Sequence, residues 1–346
     1  MTRALVVSGG GSKGAFAVGA IKKLSIVYPN LDYDFFVGTS TGSLIVPLVA
    51  LNELALLEEL YTTFKTSDIV RKFNLGDRLN EHSVFDSTPL WNLINKFYTD
   101  DRYQALQDSG KKLYFAATCL NSSRLVVFTN DSNPVISKNY DLRLLTSADH
   151  FRKAILASAS QPVFMPPVKV NLKVPGEAHP HYQFADGGVL QYVGIEMAVD
   201  QGATEIFTVL LSTGNSEVVE TEFKTIFPIL QQTIDIFMQD VGKNDLLIPE
   251  QYNDALIYID AVKKKMRRAG VSKDDIDNYF RIRGRENPFE EKVPLVIYII
   301  RPRAPLGGGP GGLTFDPAEM KEMVKIGMRS SDEFIASLNP GDVTWA

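Results

Sequence analysis

Short apolar runs alternate with longer amphipathic stretches along this chain. ALVVSGGG (4–11) has the pattern of a buried strand running into a glycine turn. GAFAVGAIKKLSIVY (14–28) has helical spacing and stops before Pro29. DFFVG (34–38) predicts a second short strand, with a helix beyond Ser40 and another over NELALLEELYTTF (52–64). KLYFAATCL (112–120) and RLVVFTN (124–130) predict strands joined by Asn121-Ser122-Ser123. A helix over DHFRKAILASAS (149–160) is stopped by Pro162, and YQFADGG (182–188) is a strand entering a tight turn. IEMAVDQGA (195–203) and EIFTVLLST (205–213) read as helix and strand. Residues 222–285 predict mainly helix, VPLVIYIIRP (293–302) a late strand, and FDPAEMKEMVKIGMRSSDEFIASL (315–338) a final helix with Pro317 in its first turn. Residues 65–110 mix turns and aromatics, and LGGGPGG (306–312) reads as a flexible loop with no assigned role.

This alternation predicts an α/β fold, a mostly parallel central sheet covered by helices on both faces. It divides the chain into a core over 1–213 with a variable helical or loop insertion at about 61–110, a mainly helical insertion or cap over 214–292, and a late strand and helix over 293–346 completing the core. An apolar share of 45% describes an ordinary globule. A net charge of −5 lacks the basic footprint of a nucleic-acid binder. Cys119 is the one cysteine, so no intrachain disulfide forms, and its apolar run makes it a small buried residue. No run approaches the roughly 20 apolar residues of a membrane span. The apolar run after Met-Thr-Arg is too short for a signal-peptide core. Cytoplasmic residence is therefore expected, with peripheral attachment to membranes and export without a cleaved signal left open.

The chemistry concentrates at glycines. Gly38-Thr39-Ser40-Thr41-Gly42 is G-x-S-x-G between a strand and a helix, the context in which a sharp turn presents a nucleophilic serine. The competing reading is a glycine-rich turn with Ser40 as a helix N-cap. Pro47 falls inside the following helix, where it removes a hydrogen bond. A base is harder to find. His82, His150, His179 and His181 all precede a long histidine-free stretch, and His179 and His181 lie in a proline-flanked segment that reads as a surface loop. Asp186, at the end of a strand and before Gly187 and Gly188, can reach the sheet edge where Ser40 sits. A carboxylate of ordinary pKa, about 3.9, is a poor base for a hydroxyl. Desolvation raises that basicity. By itself Asp-Gly-Gly reads as a plain turn.

Gly9-Gly10-Gly11-Ser12-Lys13-Gly14 matches G-x-G-x-x-G after a strand, but no acidic residue follows the second strand to hold a ribose. Lys13 is followed by Gly14, so the loop is not a P-loop either. The other use is an oxyanion hole of exposed N–H groups, with Lys13 either aiding an anionic substrate or pointing to solvent.

Taken together, GGGSKG (9–14), GTSTG (38–42) and DGG (186–188) resemble the patatin-like phospholipase family. Softer similarities are Ala157-Ser158-Ala159-Ser160-Gln161-Pro162, Met165-Pro166-Pro167, Gly202-Ala203-Thr204-Glu205-Ile206 and FDPAEMKEMVKIG. The resemblance implies a patatin-like three-layer sandwich and a lipid acyl hydrolase with no metal or organic cofactor. It carries the nucleophile onto Ser40, the base onto Asp186 and the oxyanion hole onto Gly9, Gly10 and Gly11, with Lys13, Gly14, Gly38, Gly42, Gly187 and Gly188 as supporting motif positions. No histidine is then needed. The family often has Asn-x-Pro shortly after the Asp-Gly-Gly turn, where this chain has Tyr192-Val193-Gly194. The implied partner is a lipid or membrane-surface substrate, with no nucleic acid; oligomeric state is open. An esterase, thioesterase or acyltransferase on a smaller acyl donor is the alternative enzyme, and a catalytically silent lipid-binding protein the alternative of another class. Phe223, Ile226, Phe227, Leu230, Ile234, Phe237 and Met238 form a helical apolar stripe that is either core-facing or an acyl-channel wall. Lys263-Lys264-Lys265-Met266-Arg267-Arg268 reads as a solvated face.

Overall fold

The computed structural model describes residues 2–73, 76, 81–171, 181–214, 222–290 and 292–338. In chain order the strands are β1 (Arg3–Val7), β2 (Phe35–Thr39), β3 (Arg71–Lys72), β4 (Phe85–Asp86), β5 (Lys112–Cys119), β6 (Arg124–Thr129), β7 (Asp141–Leu144), β8 (Val168–Asn171), β9 (His181–Asp186), β10 (Glu205–Val209) and β11 (Val296–Ile300). The helices are α1 (Gly14–Val27), α2 (Thr41–Ala50), α3 (Leu54–Thr63), α4 (Thr66–Ile69), α5 (Thr88–Phe97), α6 (Asp100–Asp108), α7 (Ala148–Ser158), α8 (Ile195–Asp200), α9 (Ile226–Arg268), α10 (Lys273–Tyr279) and α11 (Pro317–Ser337).

The main sheet runs β11-β10-β1-β2-β5-β6-β7, with β9 and β8 joined to β5. Every pair from β11 to β5 is parallel, whereas β5 pairs antiparallel with β6 and with β9. The expected mostly parallel sheet between helical layers is therefore present. Alternate strand residues feed two cores. Leu5, Val7, Phe36 and Phe115 pack on one face with α1, α2, α7 and α11; Ala4, Val6, Val37 and Tyr114 pack on the other with α8. Both faces are apolar, which is why these strands read as continuous hydrophobic runs.

Register on β5 creates the geometry on which the rest depends. Its first half pairs with β2 as far as Thr39↔Ala116, and its last residues pair with β9 from Ala117↔Asp186. Since β6 occupies the other edge of β5 over Tyr114–Cys119, β2 and β9 share one edge and end against each other. The residue after Thr39 is Ser40, so the register alone brings Ser40 to Asp186.

The structure departs from the sequence pattern in two places, and meets it in the helical 222–285 region. The irregular stretch 65–110 contains α5 and α6, the first opened by Pro89 and the second capped by the Thr99 side chain, which accepts the Arg102 N–H. β7 and β8 lie at the margins of the sheet as four-residue strands, DLRL and VKVN, too short and too polar to stand out. The 222–285 region is dominated by one 43-residue helix, α9, with Pro249 inside it. His181 opens β9, and His179 lies outside the described residues. Cys119 is buried as expected.

Helices α1 and α11 meet backbone to backbone. A Cβ at Gly19 would lie 1.9 Å from the Val324 carbonyl oxygen, and one at Gly327 would lie 2.0 Å from that of Phe16. The Ser331 hydroxyl donates to the Ala20 carbonyl at 3.0 Å across the same seam. Helix propensity alone makes Gly→Ala favourable by about 1 kcal/mol. At this seam the sign reverses: Gly327→Ala is expected to lower unfolding stability by about 1–3 kcal/mol, read by urea denaturation.

Candidate active site

Ser40 adopts φ 55° and ψ −123°, a conformation a non-glycine residue keeps only when its surroundings fix it. Its N–H donates to Ser158 Oγ at 3.0 Å. Its carbonyl accepts the Ser43 N–H at 2.9 Å and the Ser43 hydroxyl at 2.6 Å. The flanking glycines make the tight turn possible: a Cβ at Gly38 would lie 2.6 Å from Gly42 backbone atoms, and one at Gly42 2.2 Å from the Val7 carbonyl oxygen. Ser40 stands at the N-cap position of α2 yet its side chain makes no capping bond; it lines the same cavity as Asp186 and lies close enough to lower that carboxyl's pKa. The helix runs through Pro47 to Ala50.

Asp186 is held as firmly. Its N–H donates to the Ser160 carbonyl at 2.7 Å, its carbonyl accepts the Thr118 hydroxyl at 2.9 Å, and its Oδ1 accepts the Gly188 N–H at 2.7 Å. Gly187 and Gly188 form the turn beyond it. The carboxyl is 1% exposed. Burial pushes its pKa up to about 6, against the opposing effect of the Ser40 side chain and the Gly188 N–H. The Ala157–Pro162 segment thus tethers the backbones of both residues, through Ser158 to Ser40 and through Ser160 to Asp186.

The triple-glycine loop follows β1 directly. Gly9 donates its N–H to the Tyr192 carbonyl at 3.2 Å, so that amide is committed. Gly10 (φ 153°) and Gly11 (φ 58°) line the cavity in glycine-only conformations. Of the three glycines expected to supply an oxyanion hole, these two line the cavity and Gly9 does not. Gly14 gives α1 room beside Tyr61 and Thr41. Lys13 contributes to the cavity wall. The segment 306–312, which has no evident role in the sequence, packs against this loop: a Cβ at Gly11 would lie 2.3 Å from the Gly312 carbonyl oxygen.

Ser40 and Asp186 open onto a cavity of about 620 Å³. One wall is apolar and comes from the 61–110 stretch and its approach, with Leu60, Phe64, Leu93 and Phe97. The facing wall comes from α9 and carries Gln231, Gln232, Asp235 and Gln239. Of the expected stripe, Phe223 and Met238 line this cavity, while Ile226 and Phe237 are exposed, at 78% and 64%. Among the described residues no histidine lines it: His82 is exposed, and His150 sits on α7 against Phe128, bonded to Thr146. No cluster of three or more metal-ligating side chains occurs among the described residues. No described helix is long and apolar enough to cross a membrane.

The family model for patatin-like phospholipases matches residues 5–199, a span that holds the glycine loop, Ser40 and Asp186. The chain belongs to the patatin-like phospholipase family. A protein of Invertebrate iridescent virus 6, described as probable lipid hydrolase 463L, is 25% identical over 212 residues. That match covers 57% of this chain and 63% of the viral protein, less than two thirds of its length. The crystal structure of VipD from Legionella pneumophila aligns over 97% of this chain and 67% of that one, at 11% identity and a TM-score of 0.45.

Where patatin-like chains often carry Asn-x-Pro after the Asp-Gly-Gly turn, Tyr192 and Val193 both donate their N–H groups to Asp245 of α9, at 2.6 and 2.9 Å. Sequence reasoning passes over Asp245, Ser158 and Ser160. The two serines stand in a segment that resembles the family without announcing a contact, and Asp245 is one acid among many on a long helix.

The raised pKa of Asp186 has a stability consequence. Its contribution is fully present below the unfolded value of 3.8 and is lost as pH rises through about 6. Asp186→Asn is therefore expected to raise stability at pH 8 by up to about 3 kcal/mol, and to bring no such gain at pH 3.5. Thermal unfolding of both proteins across pH checks this.

Proposed function

We propose that the protein is a lipid acyl hydrolase working through a Ser40–Asp186 dyad. The observation that carries this reading is the strand register that sets Ser40 beside the buried Asp186 carboxyl, both lining one largely apolar cavity. In the proposed reaction the Asp186 carboxylate takes the Ser40 proton as Oγ attacks the ester carbonyl carbon. The tetrahedral oxyanion is held by the N–H groups of Gly10 and Gly11, aided by the positive end of α2. The Asp186 carboxylic acid then returns its proton to the leaving alkoxide, giving the free alcohol and an acyl-Ser40. Water enters, Asp186 takes one of its protons, and the hydroxide oxygen attacks the acyl carbon. Collapse expels Ser40 Oγ, which regains a proton from Asp186, and the fatty acid leaves.

Burial explains how a carboxylate serves as the base. A pKa of about 6 keeps Asp186 mainly ionised at neutral pH while making it more basic than an exposed aspartate. The cavity supports the substrate class. Its size falls within the ordinary range for ligand pockets, roughly 300–1,000 Å³. Its apolar wall suits an acyl chain and its amide-bearing wall a polar head. Phospholipids and related acyl-ester lipids have both parts.

Fatty-acid release from mixed phospholipid vesicles tests the reading. Ser40→Ala and Asp186→Asn are each expected to lower the rate by at least about 10³-fold. The kcat/KM of the wild-type protein should rise with pH along a limb centred near 6, because the ionised form of Asp186 is the active one. Leu93→Trp, which fills part of the apolar wall, should reduce turnover of long-chain esters while sparing short ones. Release from short-chain esters alone would favour a general esterase. Lipid binding without release from any ester would favour a silent binding protein.

A further inference from the structure

Helix α9 reaches the site through one carboxylate. Asp245 Oδ2 accepts the N–H groups of both Tyr192 and Val193, at 2.6 and 2.9 Å. Tyr192 in turn touches both halves of the site. Its carbonyl accepts the Gly9 N–H at 3.2 Å, the peptide immediately before the cavity-lining Gly10 and Gly11. Its ring fills the space beside three glycines: a Cβ at Gly9, Gly188 or Gly242 would lie 3.0, 3.1 or 2.9 Å from ring atoms. Gly188 is the residue whose N–H bonds the Asp186 carboxyl. A single loop thus contacts the glycine segment and the dyad turn together, and Asp245 fixes its backbone.

We infer that Asp245 is a positioning residue: by pinning the Tyr192–Val193 backbone it sets the Gly9–Gly11 loop and the Gly188 turn in register around Ser40. The inference rests on the function proposed above. A loop with rigid internal geometry would not need the tether. Here Tyr192-Val193-Gly194 supplies none, because Gly194 is left-handed (φ 77°) and Val193 carries no side-chain acceptor. Two backbone donors on a buried loop need an acceptor, and the helix provides it. Burial pushes the Asp245 carboxyl up to about 6, a penalty tolerated because both donors converge on one oxygen.

The test uses the full chain, a soluble p-nitrophenyl ester and the rate at which a fluorophosphonate labels Ser40. Asp245→Ala is expected to lower kcat and the labelling rate about 10²-fold, with KM changed by less than about threefold. Asp245→Asn keeps an acceptor oxygen and should recover most of both rates. Leu246→Ala, one position along on the second core, is expected to lower the melting temperature while leaving kcat unchanged. Gly242→Ala presses on the Tyr192 ring without touching Asp245, and should slow labelling even if Asp245→Ala fails to fold. Wild-type kcat and labelling in Asp245→Ala or, should that variant not fold, in Gly242→Ala would overturn the inference. So would equal losses of kcat in Asp245→Ala and Leu246→Ala. A wild-type protein that neither labels nor hydrolyses would instead defeat the dyad reading itself, and the positioning role with it.

Discussion

Two strands ending against each other on one edge of β5 are the constraint from which this site follows. β2 leaves that edge after Thr39 and β9 takes it over at Asp186, on consecutive residues of β5. Main-chain pairing, the least adjustable element of a sheet, therefore sets the separation of the two side chains. Each then needs only local fixing. Gly38 and Gly42 let Ser40 turn sharply, and the Ser158 hydroxyl and Ser160 carbonyl each accept the backbone N–H of one member of the pair. The other parallel strands deliver their loops to the same end, as open parallel sheets do. The glycine loop follows β1, and the 306–312 segment follows β11.

Electrostatics and packing pull in opposite directions at Asp186. Burying a carboxylate is unfavourable, and the neighbouring Ser40 side chain and the Gly188 N–H offset only part of that cost. The fold carries the deficit on a rigid frame. Ala116 and Ala117 on β5 are fully buried, and the two helical layers clamp the sheet from both faces. Strain at a positive-φ serine and an incompletely compensated acid are tolerable here because the surrounding core is large.

The sheet and its chemistry were legible because they rest on short-range signals. Apolar runs bounded by glycine gave β1, β2, β5, β6, β9 and β10, and the glycine-flanked serine and aspartate stood at the ends of two of them. The proximity of Asp186 to Ser40 depends on a register that no local pattern encodes. The cavity was much less visible. Its apolar wall uses α5, whose helical spacing in TPLWNLINKF is broken up by neighbouring turns and aromatics. The 306–312 segment looked like a flexible linker because glycine suits both a mobile loop and a close backbone contact, and only the approach of Gly11 distinguishes them. Gly9 likewise could not be separated from Gly10 and Gly11 by sequence, since what removes it is a carbonyl nearly two hundred positions away, on Tyr192.

The packing of Gly11 against Gly312 joins segments near opposite ends of the chain. During synthesis, a nascent chain released as far as residue 214 already holds Ser40 and Asp186. It has neither α9 nor the loop that walls the glycine segment. Completion of the cavity is thereby deferred until the ribosome has passed residue 312, and Ser40 and Asp186 stand without that wall until then.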